Sequence, residues 1–256
     1  MGTNRANGSL YTEVRDRVAR VEFGHPDGNS FVSEMLDRLA SEFNALSANS
    51  QVGAIILCSE GKDIFCAGAS LKELMVVQTP QEGTEFFSGF AKVLNAMRLC
   101  TKPILGRVQG KAVGGGVGLV AACDYVFATE AAAIRLSEIS IGIAPLVIAP
   151  AVERKAGKTG LAELSLSPLE WKNAYWAKEK GLYSRVYDSI SELDRDLDFF
   201  SVKLASFSPD ALQALTSVLW EGTAHWETLL TERAVLSGKL ALSKQSRQAL
   251  EKFRNR

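Results

Sequence analysis

Apolar positions fall along this chain in three textures: short alternating stretches, unbroken runs, and stretches spaced by three or four. From Tyr11 to Phe23 the spacing of Val14, Val18, Val21 and Phe23 predicts a pair of strands or a hairpin. The cluster His25-Pro26-Asp27-Gly28-Asn29 then predicts a turn. Ser33 reads as the N-cap of a helix that carries Met35, Leu36, Leu39, Phe43 and Leu46 on one face. The runs Val52–Cys58 and Ile104–Val108 are apolar without alternation, as in strands of a parallel sheet covered on both faces. Between them lie a small-residue loop from Lys62 to Ser70, a short helix from Leu71 to Val77 and an amphipathic helix from Phe86 to Cys100.

The second half repeats the alternation. Val117 to Cys123 predicts a short helix, and Tyr125–Ala128 and Ile134–Leu136 predict short strands. Ala151–Ala156, Gly160–Leu166 and Trp171–Lys180 are helical in pattern, with a short strand at Tyr183–Tyr187. From Leu193 onward the pattern is almost wholly helical, broken near Ser208-Pro209. Strand–turn–helix units beginning at Val52 and Ile104 suggest a repeated ββα organisation, and the tail suggests a separate helical layer. The expected division is an α/β body over 1–195 and a helical region over 196–256, with frayed residues at 1 to about 9.

Composition narrows the function. The 29 basic and 29 acidic residues cancel and form no Lys/Arg block, which argues against a dedicated nucleic-acid binder. No apolar run approaches the roughly 18 residues that suggest a membrane span. The first residues contain no secretory h-region, so a cytoplasmic protein is expected. Cys58, Cys66, Cys100 and Cys123 show no CxxC or His-rich spacing; they read as reduced core thiols, with no metal site.

The candidate chemistry centres on Gly110–Pro150. Gly114, Gly115 and Gly116 precede a short helix, where unhindered backbone N–H groups and the helix dipole favour a negatively charged oxygen. Glu138 follows a predicted strand and can fold back to that turn, giving the anion hole and carboxylate needed to move a proton beside a carbonyl. Each feature has a plainer reading: a packing turn, and a solvated strand-end acid. Asp124, after a helix end, suits turn hydrogen bonds better than catalysis. His25, in a turn, and His225, beside Trp226, lack the paired acid and nucleophile of a catalytic triad nearby in sequence and read as structural. Gly116-Val117-Gly118-Leu119-Val120-Ala121 also fits G-x-G-x-x-A, so an NAD-binding dehydrogenase is a rival; such a motif usually opens its domain, whereas here a strand–helix system precedes it.

Two loops read together carry a resemblance. Phe65-Cys66-Ala67-Gly68-Ala69-Ser70-Leu71-Lys72-Glu73-Leu74 and Gly110–Asp124 resemble the enoyl-CoA hydratase/isomerase (crotonase) superfamily, with His25-Pro26 and Asn29 matching its early turn and Ser137-Glu138 through Gly142 its glutamate loop. The resemblance implies a crotonase-like spiral of ββα repeats with a C-terminal helical region, assembled as a homotrimer or a hexamer. It implies that the backbone N–H groups of Ala69 and Gly115 form an oxyanion hole for an acyl-CoA thioester and that Glu138 is the catalytic acid–base. Cys66, Ala67, Gly68 and Gly114 would line the coenzyme A path, and Lys252 would contact coenzyme A from the C-terminal helix. Coenzyme A would be part of the substrate, with no separate cofactor.

This chain departs from many hydratases of that superfamily in carrying Gly118 where they hold a second glutamate, and Ser70 where Asp is usual. The GGGVGL stretch with the following Pro-x-x-Ile-x-Pro is most similar to methylglutaconyl-CoA hydratase-like members, which implies hydration of a branched enoyl-CoA, with Gly118 leaving room for the branch. Arg135 and Arg154 are then candidate partners for a distal carboxylate. A lone glutamate before Ile-Ala-Pro also resembles Δ3-Δ2 enoyl-CoA isomerases, and a non-catalytic acyl-CoA binder is the remaining alternative.

Overall fold

The computed structural model describes residues 8–254. Most of the segment expected to fray, residues 1–7, lies outside the described residues; Ser9 already opens a strand. The expected hairpin is β1 (Ser9–Arg15) and β2 (Val18–Gly24), paired antiparallel through the left-handed residues Asp16 and Arg17. Helix α1 (Ser33–Ala48) follows, with all five predicted residues buried. Ser33 does not cap it. Val32 holds the cap position, and the Ser33 N–H and Oγ both donate to Glu73 Oε2 at 2.9 Å. A carboxylate from a later helix thus does what a local side chain was expected to do.

Three ββα turns come next. The first is β3 (Ala54–Ser59), β4 (Ile64–Cys66), α2 (Leu71–Val76) and α3 (Pro80–Arg98); the second is β5 (Ile104–Val108), β6 (Lys111–Val113) and α4 (Gly115–Ala122). The third is β7 (Tyr125–Thr129), β8 (Ile134–Arg135), a 3-10 turn (Glu138–Ile141) and α5 (Ala149–Leu166), which Gly157 breaks with a φ of 68° between the two predicted helical segments. After α6 (Ala174–Glu179), β9 (Arg185–Tyr187) completes a six-stranded sheet in the order β1-β2-β3-β5-β7-β9, parallel apart from β1. The second strands of each turn form a small parallel sheet, β4-β6-β8. This is the α/β spiral expected from the two loops.

Burial explains the unbroken apolar runs. On β3, Ile55 and Leu57 face the main core with α1 and α3, while Ala54, Ile56 and Cys58 face a second core closed by Leu193, Leu197 and Ala205 of α7 (Ile190–Ala205). Both faces are covered, so alternation disappears. Position 195 falls inside α7, which packs on the sheet. Beyond it, α8 (Pro209–Leu219), α9 (Trp226–Ala241) and α10 (Lys244–Arg254) fold back over the body. Helices α3 and α9 meet backbone to backbone: a Cβ on Gly83 would stand 2.8 Å from Gly238 Cα. Helix α3 starts six residues before Phe86, because Thr79 and Glu82 form a reciprocal capping box around Pro80. No helix among the described residues is long and apolar enough to cross a membrane.

Candidate active site

The two sequence loops meet at the C-terminal ends of β4 and β6. Asn29, at φ 56°, braces the first from behind: its Nδ2 donates to the carbonyls of Glu60 at 2.8 Å and Ile64 at 2.9 Å. Ala67 N–H donates to Gly28 O, and Phe31 N–H to Gly68 O. Gly68 then turns at φ 92°, a conformation that favours glycine; a Cβ there would lie 3.0 Å from Val113 O and 3.3 Å from Gly115 N. Ser70 caps α2 by accepting from Glu73 N–H, so serine fills the helix-start role where aspartate is usual.

The second loop supplies the opposite lip. Gly114 donates its N–H to Arg135 O, which ties the glycine turn to β8, and Gly115 opens α4 against the ring of Phe90, which leaves no room for a side chain. Among the described residues the N–H groups of Ala69 and Gly115 donate to no carbonyl or side chain. Two free donors, on loops in contact through Gly68, lie where the resemblance puts an oxyanion hole.

Glu138 faces them. A Cβ on Gly114 would lie 3.0 Å from Glu138 Oε1. Its Oε2 is buried without a hydrogen-bond partner among the described residues. Removal from water pushes its pKa up to about 7, only partly offset by backbone N–H groups of the 3-10 turn. A carboxyl group poised near neutrality exchanges protons in either direction at working pH. The fold-back inferred from the sequence is present.

These residues open on a cleft of about 630 Å³, its mouth included, walled by Phe86, Phe87 and Phe90 of α3 and by the segment Ile143–Ile148. Ala67, Gly68, Ala69, Gly114, Gly115 and Glu138 all line it. Two sequence-derived residues do not. Cys66 is fully buried in the core, its thiol accepting from Gly68 N–H at 3.3 Å and pushed up to about 12 by burial; it shapes the loop from behind instead of lining a ligand path. Lys252 is exposed on α10, outside the cleft wall, although that helix packs against α2 and the 3-10 turn.

Two further expectations change. Gly118 leaves no vacancy: a Cβ there would stand 2.5 Å from Ile148 Cγ2, so the place of a second glutamate is filled by an apolar side chain that also lines the cleft. Arg135 and Arg154 lie off the wall; their guanidinium groups stack on Trp171 at 4.4 Å and Trp220 at 3.7 Å. Among the described residues, the cleft wall carries no Lys, Arg or His, and its polar side chains are Ser137, Glu138 and Ser237. Sequence reasoning missed Ile148 and Ser237. The signal for Ser237 was a serine on the stripe Leu230, Ala234, Ala241, where helical spacing calls for an apolar residue.

Asp124 is structural. Its Oδ2 accepts from Ile104 N–H at 2.8 Å and its Oδ1 from Trp220 Nε1 at 3.1 Å, tying the end of α4 to β5 and to the helical tail.

This chain is similar to known proteins in sequence and in fold. A family model described as "Enoyl-CoA hydratase/isomerase" matches residues 13–255. A Rhizobium meliloti protein described as "Probable enoyl-CoA hydratase" is 31% identical over 82% of this chain and 80% of its own length. The rat mitochondrial methylglutaconyl-CoA hydratase is 35% identical over 117 residues, 46% of this chain and 37% of that protein. With some relatives, the chain thus aligns over about half of their length or less. A crystal structure of an enoyl-CoA hydratase from Bacillus halodurans superposes with a TM-score of 0.88 over 95% of this chain and 99% of that one, at 20% identity, a likeness of fold alone. With the family model matched over residues 13–255 and a relative 31% identical over 82% of the sequence, this chain belongs to the enoyl-CoA hydratase/isomerase family.

Proposed function

We propose that the protein hydrates an α,β-unsaturated acyl-CoA, with Glu138 as its one acid–base group and the N–H groups of Ala69 and Gly115 holding the thioester oxygen. The observation that carries this reading is the unpartnered Glu138 Oε2 on a carboxyl group with a pKa of about 7, beside two free backbone donors. A neutral carboxyl group has one O–H donor and one acceptor oxygen. In the hydration step the acceptor oxygen takes a proton from the water that attacks the β-carbon, while the O–H gives its proton to the α-carbon. Negative charge that develops on the thioester oxygen is met by the two N–H groups, and the carboxyl ends neutral, as it began. One such donor is worth on the order of 3–4 kcal/mol of barrier.

Hydratase names among the relatives support hydration, while dienoyl-CoA isomerases also stand among them and support a second reading. The filling of the Gly118 space by Ile148 also favours that second reading, double-bond isomerisation, in which the carboxylate carries a proton between C2 and C4 and needs no water. The same contact means that Gly118 does not accommodate an acyl branch. The exposed Phe199, Phe207, Leu215 and Val218 of α7 to α8 supply apolar surface for the homotrimer or hexamer implied by the resemblance.

Product formed from crotonyl-CoA in H₂¹⁸O tests the reaction: hydration places the label at C3. A 3-enoyl-CoA converted to its 2-enoyl isomer, with no labelled hydroxyl from any enoyl-CoA, replaces hydration by isomerisation.

A further inference from the structure

Ser237 sits on the inner wall of the cleft, from α9, among apolar side chains of α3 and Ile143–Ile148. It is 1% exposed, and its Oγ is buried with no hydrogen-bond partner among the described residues. A serine inside a helix ordinarily donates to the carbonyl one turn back, as Thr231 does to Glu227 and Ser88 to Thr84. Ser237 does not. Buried hydroxyl groups left unpaired are rare and costly, and Ser165 and Ser246, which share this state, lie outside the cleft lining, whereas Ser237 stands where a ligand can complete it.

Resting on the acyl-CoA reading above, we propose that the Ser237 hydroxyl binds an oxygen atom on the acyl group, so that the substrates are enoyl-CoA thioesters whose chain carries an oxygen acceptor beyond the double bond. The acceptor can be neutral, as in a hydroxyl or carbonyl, or a carboxylate. The cleft wall carries no cationic side chain among the described residues, which favours the neutral oxygen, since a carboxylate there would be desolvated without a counter-charge. Apart from Ser137 and Glu138, the other side chains that line the cleft with Ser237 are apolar and offer an alkyl chain contact but no hydrogen bond. A competing account is that serine stands at 237 only because α9 lies close to α3, as the contact of Gly83 with Gly238 requires. Alanine satisfies that account equally well, so the two separate cleanly.

The test compares three five-carbon thioesters, pent-2-enoyl-CoA, 5-hydroxypent-2-enoyl-CoA and glutaconyl-CoA, on the wild type, Ser237→Ala and Ser237→Cys. The wild type should prefer at least one oxygenated thioester over the alkyl one, and both variants should lower that preference by about 10- to 100-fold in kcat/KM. Folding of each variant is checked separately by circular dichroism and thermal unfolding, and the readout is the ratio of kcat/KM on each oxygenated thioester to that on pent-2-enoyl-CoA. The hydroxyl compound responding alone assigns a neutral oxygen; glutaconyl-CoA responding assigns a carboxylate, and either supports the proposal. Variants that turn over all three thioesters in wild-type proportions overturn it and leave the acyl-CoA reading intact. Wild-type protein inert toward all three overturns the hydration reading and, with it, this proposal.

Discussion

Two half-buried acids flank the same short helix, and they have opposite fates. Asp124, after the C-terminal end of α4, accepts hydrogen bonds with both oxygens, from Ile104 and Trp220, and welds three elements together. Glu138, beside the glycine turn that opens α4, keeps Oε2 without a partner among the described residues, and the Ala69 and Gly115 N–H groups that line the same cleft are equally free among them. Burial raises the pKa of both. Burial alone therefore does not mark a catalytic acid; what distinguishes Glu138 is burial without satisfaction, next to donors that are unsatisfied too.

The sharpest way to break this contrast is Glu138→Gln, which should lower kcat by about 10²–10⁴ with little change in thioester affinity. The same substitution should stabilise the fold at alkaline pH. A folded-state pKa near 7 against 4.5 for the free side chain means that the native state binds the proton more tightly. Stability contributed by the neutral acid is complete below about pH 4.5 and is lost as pH rises through about 7. The variant should therefore match wild type near pH 4 and exceed it by about 1–3 kcal/mol above pH 8 in urea titrations. Equal stability at both pH values would remove the burial argument.

Ala69→Pro deletes one donor and should lower kcat by about 10²–10³, while Ala69→Gly keeps it and should be mild. Equal losses would reduce the loop to a packing role. Asp124→Asn is the counterpart: it disturbs two hydrogen bonds and should cost about 1–3 kcal/mol of stability, with kcat of the folded enzyme within a few-fold of wild type. A large fall in kcat without loss of stability would move Asp124 into the chemistry.

The smallest effect concerns the filled space on α4. Gly118→Ala should cost about 1–3 kcal/mol through its clash with Ile148 and should cost less once Ile148→Ala is present. Strict additivity in thermal unfolding would mean that the two residues do not share the space.

Legibility in the sequence followed the range of the interactions. Unbroken apolar runs gave β3 and β5, and two loops at the right separation gave the spiral and the pairing of Glu138 with the glycine turn. β4 and β6, three residues each, are too short to show a period, and the first turn of α3 is polar, so its start rested on a capping box that hydrophobic spacing does not register. The N-terminus of α1 is served by Glu73, a partner no local pattern could name. Gly118 looked like space because the side chain that fills it comes from a distant segment. Ser237 was visible only as an interruption of an apolar stripe, and its meaning depends on which wall α9 forms.

The central claim is that Glu138 alone moves the proton at the carbon next to the thioester. It is tested most directly by exchange of the α-protons of butyryl-CoA in D₂O, followed by NMR across pH, which needs neither water addition nor a double bond. In the wild type, exchange should rise with pH through an inflection near 7, as Glu138 ionises, and then level off. In Glu138→Gln it should fall by at least about a hundredfold and lose the inflection. Exchange that survives in the variant at close to the wild-type rate would contradict the account.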